Sequence, residues 1–320
     1  MKVLVTGGAG FIGSNFVRHL LGHDAVEQVT VLDALTYAGN RANLADAEAD
    51  DRFCFVRGDV CDRAAVLAAM SGHDSVVHFA AETHVDRSIT GPDAFVRTNC
   101  VGTNVVIDVA RELGCERVVH VSTDEVYGSI AEGSFAEADP LAPTSPYSAS
   151  KAGSDLIALA YHSTHGVPVV VTRSSNNYGP FQFPEKLIPL FITNLLDGKQ
   201  VPIYGDGRNV RDWIHVADNC RGVYCALTRG VAGEVYNIGG AHELTNIEIT
   251  RVLLDLLGFS DDRITPVADR LGHDRRYSID SSKIAQLGFV PTVEFADGIA
   301  QTVEWYRTNE AWWRPLLDRR

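Results

Sequence analysis

The chain has 320 residues, 45% of them hydrophobic and 22% charged, with 28 Lys plus Arg against 41 Asp plus Glu and a formal net charge of −13. At about 100–200 residues per domain, the length suits two domains sharing one crevice. The acidity excludes nonspecific nucleic-acid binding and a polybasic membrane anchor, both of which run on clustered Lys and Arg. Cys54, Cys61, Cys100, Cys115, Cys220 and Cys225 form no CxxC pair and sit mostly in apolar runs, so they read as small core residues in a reducing compartment. MKVLVTGGAG leaves no room for a signal peptide, and no apolar run approaches the ~18–20 residues of a membrane helix. A soluble, cytoplasmic protein is expected.

In chain order, short β-branched runs at Val3–Thr6, Val29–Leu32, Phe53–Val56, Ser75–Phe79, Val118–Ser122 and Val167–Thr172 read as strands. Between and after them, Phe11–Leu21, Ala64–Met70, Ala94–Leu113, Ala149–His165 and Lys186–Leu196 read as helices. Near-continuous apolar strands alternating with helices predict an α/β fold, a Rossmann-type doubly wound parallel sheet covered on both faces. After about residue 175 the rhythm breaks. NNYGPFQFPEKLIP and PIYGDGRNVRDW are polar, turn-rich and aromatic, which makes them binding-loop material and poor sheet material. The expected organisation is a dinucleotide-binding domain over residues 1–175 and a smaller mixed α/β substrate domain over 176–320, with some segments returning to the first.

Between the first strand and first helix, Gly8, Gly10 and Gly13 satisfy GxGxxG, and Gly7, Gly10 and Gly13 satisfy GxxGxxG. Missing side chains there permit a tight turn and let backbone N–H groups approach a pyrophosphate. The second strand ends at Asp33, twenty residues after Gly13, where a carboxylate can accept bonds from ribose hydroxyls and disfavours a 2′-phosphate. NAD is therefore the expected cofactor. Asp59-Val60 after the third strand and Ala80-Ala81-Glu82-Thr83 after the fourth are candidate cofactor walls, because ligands of open α/β sheets lie beyond the carboxyl ends of strands.

Tyr147 and Lys151 stand four apart near the start of a helix and so share a face, in a chain with five lysines. An ammonium beside a phenol favours the phenolate, so Tyr147 is expected to have a lowered pKa and to serve as a base. Upstream, the fifth strand runs into Thr123-Asp124-Glu125. Two adjacent carboxyls are costly to ionise together, so one can remain an acid while the other is a base. His84 has no second ligand at zinc-like spacing, so no metal is expected.

The ordered motifs TGGAGFIGS, VSTDEVYG, YSASK, NNYGP and GDGRNVRDWIHV resemble the extended short-chain dehydrogenase/reductases that act on nucleotide sugars. TDEVYG, with AETHVDRSI upstream and LGHDRRYSID near the end, is similar to the 4,6-dehydratase members of that family. Members that epimerise or decarboxylate generally lack the Asp-Glu pair. The resemblance implies dTDP-glucose as substrate and a redox cycle on bound NAD. In it Tyr147, with Lys151 and Thr123, takes the 4-hydroxyl proton, Glu125 takes the C5 proton, and Asp124 protonates the departing 6-hydroxyl.

It also implies a cofactor-binding set completed by Phe11, Ile12, Ala34, Leu35, Thr36, Thr98 and Asn177. His84 would line the sugar or nicotinamide pocket, and Asn176, Lys186 and Leu187 the phosphate and sugar region. Pro202, Ile203 and Tyr204 would line the thymine, and Arg211 and Arg270 would meet the diphosphate with Asn246, His273 and Tyr277 nearby. Broad apolar content in Ala94–Leu113 and Ala149–His165 fits a homodimer built on a helix bundle. An epimerase or decarboxylase on the same fold, or a non-catalytic dinucleotide sensor, stays open at this point.

Overall fold

The computed structural model describes residues 1–269 and 272–319. Its strands are β1 (Lys2–Thr6), β2 (Gln28–Asp33), β3 (Phe53–Arg57), β4 (Ser75–His78), β5 (Arg117–Thr123), β6 (Val169–Ser174), β7 (Asn176–Tyr178), β8 (Val201–Tyr204), β9 (Val210–His215), β10 (Val235–Ile238), β11 (Glu243–Thr245) and β12 (Ile264–Val267). Seven of them form one parallel sheet in the order β10-β6-β5-β4-β1-β2-β3. The order reverses between β1 and β4, and a Rossmann-type sheet opens its ligand crevice at such a switch point.

Successive side chains on each strand point to opposite faces. Val3 and Val5 pack with Phe16, Leu20 and Val223, from helices Phe11–Leu21 and Val216–Arg229. Leu4 between them packs with Val106, Ile107 and Ala158, from helices Thr103–Leu113 and Pro146–His165. Both faces are thus apolar, which is why these strands read as continuous apolar runs.

The structure departs from the sequence reading in two places. Residues 94–113 are not one helix: Pro92–Phe95 is followed by a π-helical stretch, Val96–Gly102, and then by Thr103–Leu113. In the wide turn the Asn99 amide accepts from the Glu82 N–H (2.9 Å) and donates to the Glu82 carbonyl (3.0 Å) and to Ser150 Oγ (2.8 Å). PIYGDGRNVRDW and NNY, expected as loops, instead supply β7, β8 and β9. These pair in a three-stranded sheet (β11-β9-β7) and a two-stranded one (β12-β8). Their polar residues are paid for internally; Asp212 accepts from the Gly240 (2.9 Å) and His242 (2.7 Å) N–H groups. From the C-terminal portion, β10 completes the large sheet beside β6.

Against helix Pro146–His165 lies a buried charge network. Asp155 accepts from Arg173 Nε at 2.9 Å and lies 3.3 Å from His120 Nε2, while Arg173 also donates to Tyr127 Oη at 2.8 Å. Burial holds His120 neutral, with a pKa lowered to about 4. Removing one member of a buried ion pair strands the other's charge in low dielectric. Asp155→Ala is expected to cost about 3–5 kcal/mol in urea unfolding; a loss below about 1 kcal/mol would show that the pair is not a structural support.

Candidate active site

The carboxyl ends of β1, β2, β4, β5 and β6 open into a cavity of about 390 Å³. At its floor Gly7 has φ +70°, and a Cβ placed there would lie 2.6 Å from the Ala80 nitrogen. A Cβ on Gly13 would lie 2.3 Å from the Gly7 carbonyl oxygen. Side chains are therefore excluded from the turn where β1 meets helix Phe11–Leu21. That helix begins at Gly10 without a side-chain cap, so its first N–H groups face the turn unengaged by a capping side chain. Asp33 accepts from the Ala9 (2.9 Å) and Leu35 (2.8 Å) N–H groups, and burial raises its pKa.

The chemical end is built by β5 and helix Pro146–His165. Thr123 ends β5 and caps the turn Asp124–Tyr127, its Oγ1 accepting from the Glu125 N–H at 3.2 Å and donating to Asp124 Oδ1 at 3.2 Å. Burial first, then the neighbouring Glu125 and Asp212 carboxyls, push Asp124 well above the ordinary carboxylate range. Ser145 and Ser148 form a capping box that fixes the start of the helix, placing Tyr147 in its first turn and Lys151 one turn later. Lys151 Nζ donates to the Val121 carbonyl at 2.8 Å, and burial lowers its pKa to about 8, with Asp155 opposing.

Tyr147 corrects the sequence reading. Its phenol is pushed up, not down, by burial and then by Glu125, against a hydrogen bond with Thr123. Burial and the Glu125 and Asp124 carboxyls outweigh that bond, while the Lys151 ammonium is bonded to the Val121 carbonyl.

Of the expected cofactor residues, Gly7, Gly10, Phe11, Ile12, Gly13, Asp33, Ala34, Thr36, Asp59, Val60, Ala80, Ala81, Thr83, Thr98, Tyr147, Lys151 and Asn177 line this cavity. Leu35 does not: with φ +55° its side chain packs on the core, and only its N–H turns back to Asp33. Of the expected substrate residues, Thr83, Thr123, Asp124, Glu125, Asn176, Lys186 and Leu187 line it as well. His84 lies behind the wall and caps helix Val85–Thr90, its Nδ1 accepting from the Arg87 N–H at 3.4 Å.

The others gather outside the cavity. Tyr204 on β8 meets His273 edge-on, with ring centroids 6.2 Å apart, and Pro202 and Ile203 precede it on the same strand. Arg211 on β9 is buried over the Tyr277 ring at 4.2 Å and donates to the Val210 (2.7 Å) and Asp274 (3.0 Å) carbonyls. Asn246 opens helix Asn246–Leu257, its N–H donating to the Asn209 carbonyl at 3.0 Å. Arg270 lies outside the described residues.

Sequence reasoning missed Tyr37, Gln182, Phe183, Glu185 and Trp213, which also line the cavity. Glu185 directly precedes Lys186 in the FPEK segment, but a lone glutamate in a polar loop carries no periodic signal. Ser122 Oγ, Asp124 Oδ2, Asn176 Oδ1, Asn177 Oδ1 and Gln182 Oε1 are buried here without a hydrogen-bond partner among the described residues. Together with the glycine cradle, these polar atoms fit a dinucleotide and a polyhydroxylated substrate in one cavity.

Residues 4–302 match the family model described as GDP-mannose 4,6 dehydratase. A dTDP-glucose 4,6-dehydratase of Actinoplanes sp. is 63% identical over 98% of this chain and 100% of its own length. The crystal structure of a dTDP-glucose 4,6-dehydratase from Streptomyces venezuelae, solved with NAD bound, superposes with a TM-score of 0.97 at 59% identity, covering 99% of this chain and 100% of that one. A Thermus thermophilus UDP-glucose 4-epimerase complex with NAD has a TM-score of 0.89 at 32% identity, covering 97% and 100%. The chain belongs to the GDP-mannose 4,6 dehydratase family of extended short-chain dehydrogenase/reductases, in the branch of the dTDP-glucose 4,6-dehydratases.

Proposed function

We propose that this chain is an NAD-dependent hydro-lyase that converts dTDP-glucose to dTDP-4-keto-6-deoxyglucose, a step of deoxysugar biosynthesis. The observation that carries the reading is the meeting, in one cavity, of Tyr147 and Lys151 with Asp124 and Glu125. A 4-epimerase needs the first pair and has no use for a buried acid beside it.

NAD held by the Gly7–Gly13 turn, Asp33 and Asn177 accepts hydride from C4 of the sugar and returns it to C6. Its positive charge favours the Tyr147 phenolate that the protein alone disfavours. Tyr147, bonded to Thr123, takes the 4-hydroxyl proton. The 4-ketone acidifies C5–H, Glu125 removes that proton, and a solvent-exchangeable proton returns to C5 when hydride adds at C6. Asp124, kept protonated by burial and by its carboxyl neighbours, delivers its proton to the departing 6-hydroxyl, so water leaves. Lys186, which donates to the Thr83 carbonyl at 2.8 Å, and Asn176 flank the sugar side. Arg211, Tyr277, His273, Tyr204 and Asn246 belong to the nucleotide end.

In this reading residues 1–175 are the cofactor domain and 176–320 mainly the substrate domain, with β10 and helix Val216–Arg229 returning to the first. The enzyme works in the cytoplasm. Six free cysteines support a reducing compartment. Ile89, Val96, Val101 and Leu156 are exposed on the segments 85–102 and 146–165, Leu156 at 61%, and they support a homodimer through these helices. Sedimentation velocity at micromolar concentration is expected to give a dimer, and Leu156→Glu a monomer. A monomeric parent protein would contradict this.

The catalytic assignment is tested with Asp124→Asn and Glu125→Gln. Each is expected to lower elimination by about 10²–10⁴-fold, while the first transfer to NAD, read as reduced-nicotinamide absorbance in a single turnover, persists. Elimination in the parent enzyme needs Asp124 protonated, so it is present below the raised Asp124 pKa and lost as pH rises through it. That alkaline fall disappears in Asp124→Asn. Equal loss of both steps would contradict the roles assigned.

A further inference from the structure

Three loops that carry no assigned chemistry meet over the cavity. Tyr37 follows β2, Arg87 lies on helix Val85–Thr90 after β4, and Glu185 stands in the segment between β7 and helix Leu187–Leu196. Tyr37 Oη donates to Glu185 Oε1 at 3.0 Å. Arg87 Cζ sits 4.0 Å above the centre of the Tyr37 ring, and Arg87 Nε lies 3.8 Å from Glu185 Oε2. The Tyr37 ring also meets Phe183 edge-on at 5.7 Å. Glu185 is 8% exposed and Arg87 38%.

We infer that Tyr37, Arg87 and Glu185 form a clasp that closes the cofactor side of the cavity and retains NAD between turnovers. The inference rests on the dinucleotide reading of this cavity. Tyr37 and Glu185 line the same cavity as the glycine turn and Tyr147, so a bond between them bridges two of the segments that bound the cofactor's cavity. The bond joins residues 148 positions apart, from opposite sides of the crevice, and opening it separates a carboxylate from its hydroxyl donor and nearby guanidinium. Charge-assisted bonds of this kind are among the stronger ones, and a partly dry setting strengthens them further. The chemistry gives retention a purpose. Hydride is returned at the end of every cycle, so the cofactor ends as it began and need not exchange with solution. Loss of the reduced form would strand a 4-keto intermediate.

The test loads the purified enzyme with isotopically labelled NAD, adds excess unlabelled NAD, and follows label release. Tyr37→Phe and Glu185→Gln are each expected to release label about tenfold faster or more, the scale of one charge-assisted hydrogen bond. The double variant is expected to speed release by less than the product of the two single effects, because both changes act on the same Tyr37–Glu185 contact. Arg87→Gln removes the guanidinium 3.8 Å from the Glu185 carboxylate and is expected to speed release as well. Unchanged release in these variants, or effects that multiply in the double variant, would overturn the clasp. So would a changed KM for the nucleotide sugar with unchanged NAD release, which would make these residues a substrate gate. A parent enzyme that retains no label would overturn the cofactor reading and the clasp with it, whereas retained label with unchanged release overturns the clasp alone.

Discussion

Burying a carboxyl group beside two others is costly, and at Asp124 that cost favours the protonated carboxyl. The group sits at the end of β5, where burial and the Glu125 and Asp212 carboxyls disfavour its ionised form. The surrounding architecture keeps it there. Thr123 caps the turn that aims Asp124 and Glu125, and Asp212 is itself held by two N–H groups. The capping box at Ser145 brings Tyr147 to the same cavity. The two carboxyls thus come from the turn that ends β5 and the phenol from helix Pro146–His165, while the third carboxyl, Asp212, comes from β9.

A formal charge of −13 poses the problem of binding two diphosphates. The cofactor end solves it without net charge, since the turn that excludes side chains at Gly7 and Gly13 exposes backbone N–H groups and the start of a helix. In the proposed reading, Arg211 over Tyr277 would supply local charge at the substrate end, and part of the acidity, at Asp33, Asp124 and Glu125, would be chemistry. Lys151 is buried, with its pKa lowered to about 8, and bonded to a carbonyl.

Much of this was legible in the residues because it is periodic or local. The strands of the large sheet are buried on both faces, so they appear as apolar runs, and helix Phe11–Leu21 was placed to the residue. Glycine spacing, Asp33 and the four-residue step from Tyr147 to Lys151 are likewise local signals. What stayed hidden depends on tertiary partners. The π-helical turn at Val96–Gly102 exists because Asn99 serves Glu82 and Ser150, neither of them near in sequence. β7 and β9 are polar because their hydrogen bonds are met across the chain, and β10 joins β6 after a long excursion. The Tyr147 pKa was read with the wrong sign because spacing reveals a neighbouring lysine but not burial or a facing carboxylate. Glu185 and Tyr37 were missed for a similar reason: their meaning lies in each other.

The most direct measurement follows the hydrogen at C4 of the substrate. With dTDP-glucose deuterated at C4 and no added cofactor, the purified enzyme should give dTDP-4-keto-6-deoxyglucose carrying that deuterium at C6, with C5 bearing hydrogen from the solvent. Deuterium lost to solvent or to exchangeable cofactor, or a product that keeps its 6-hydroxyl, would contradict an internal redox cycle with elimination.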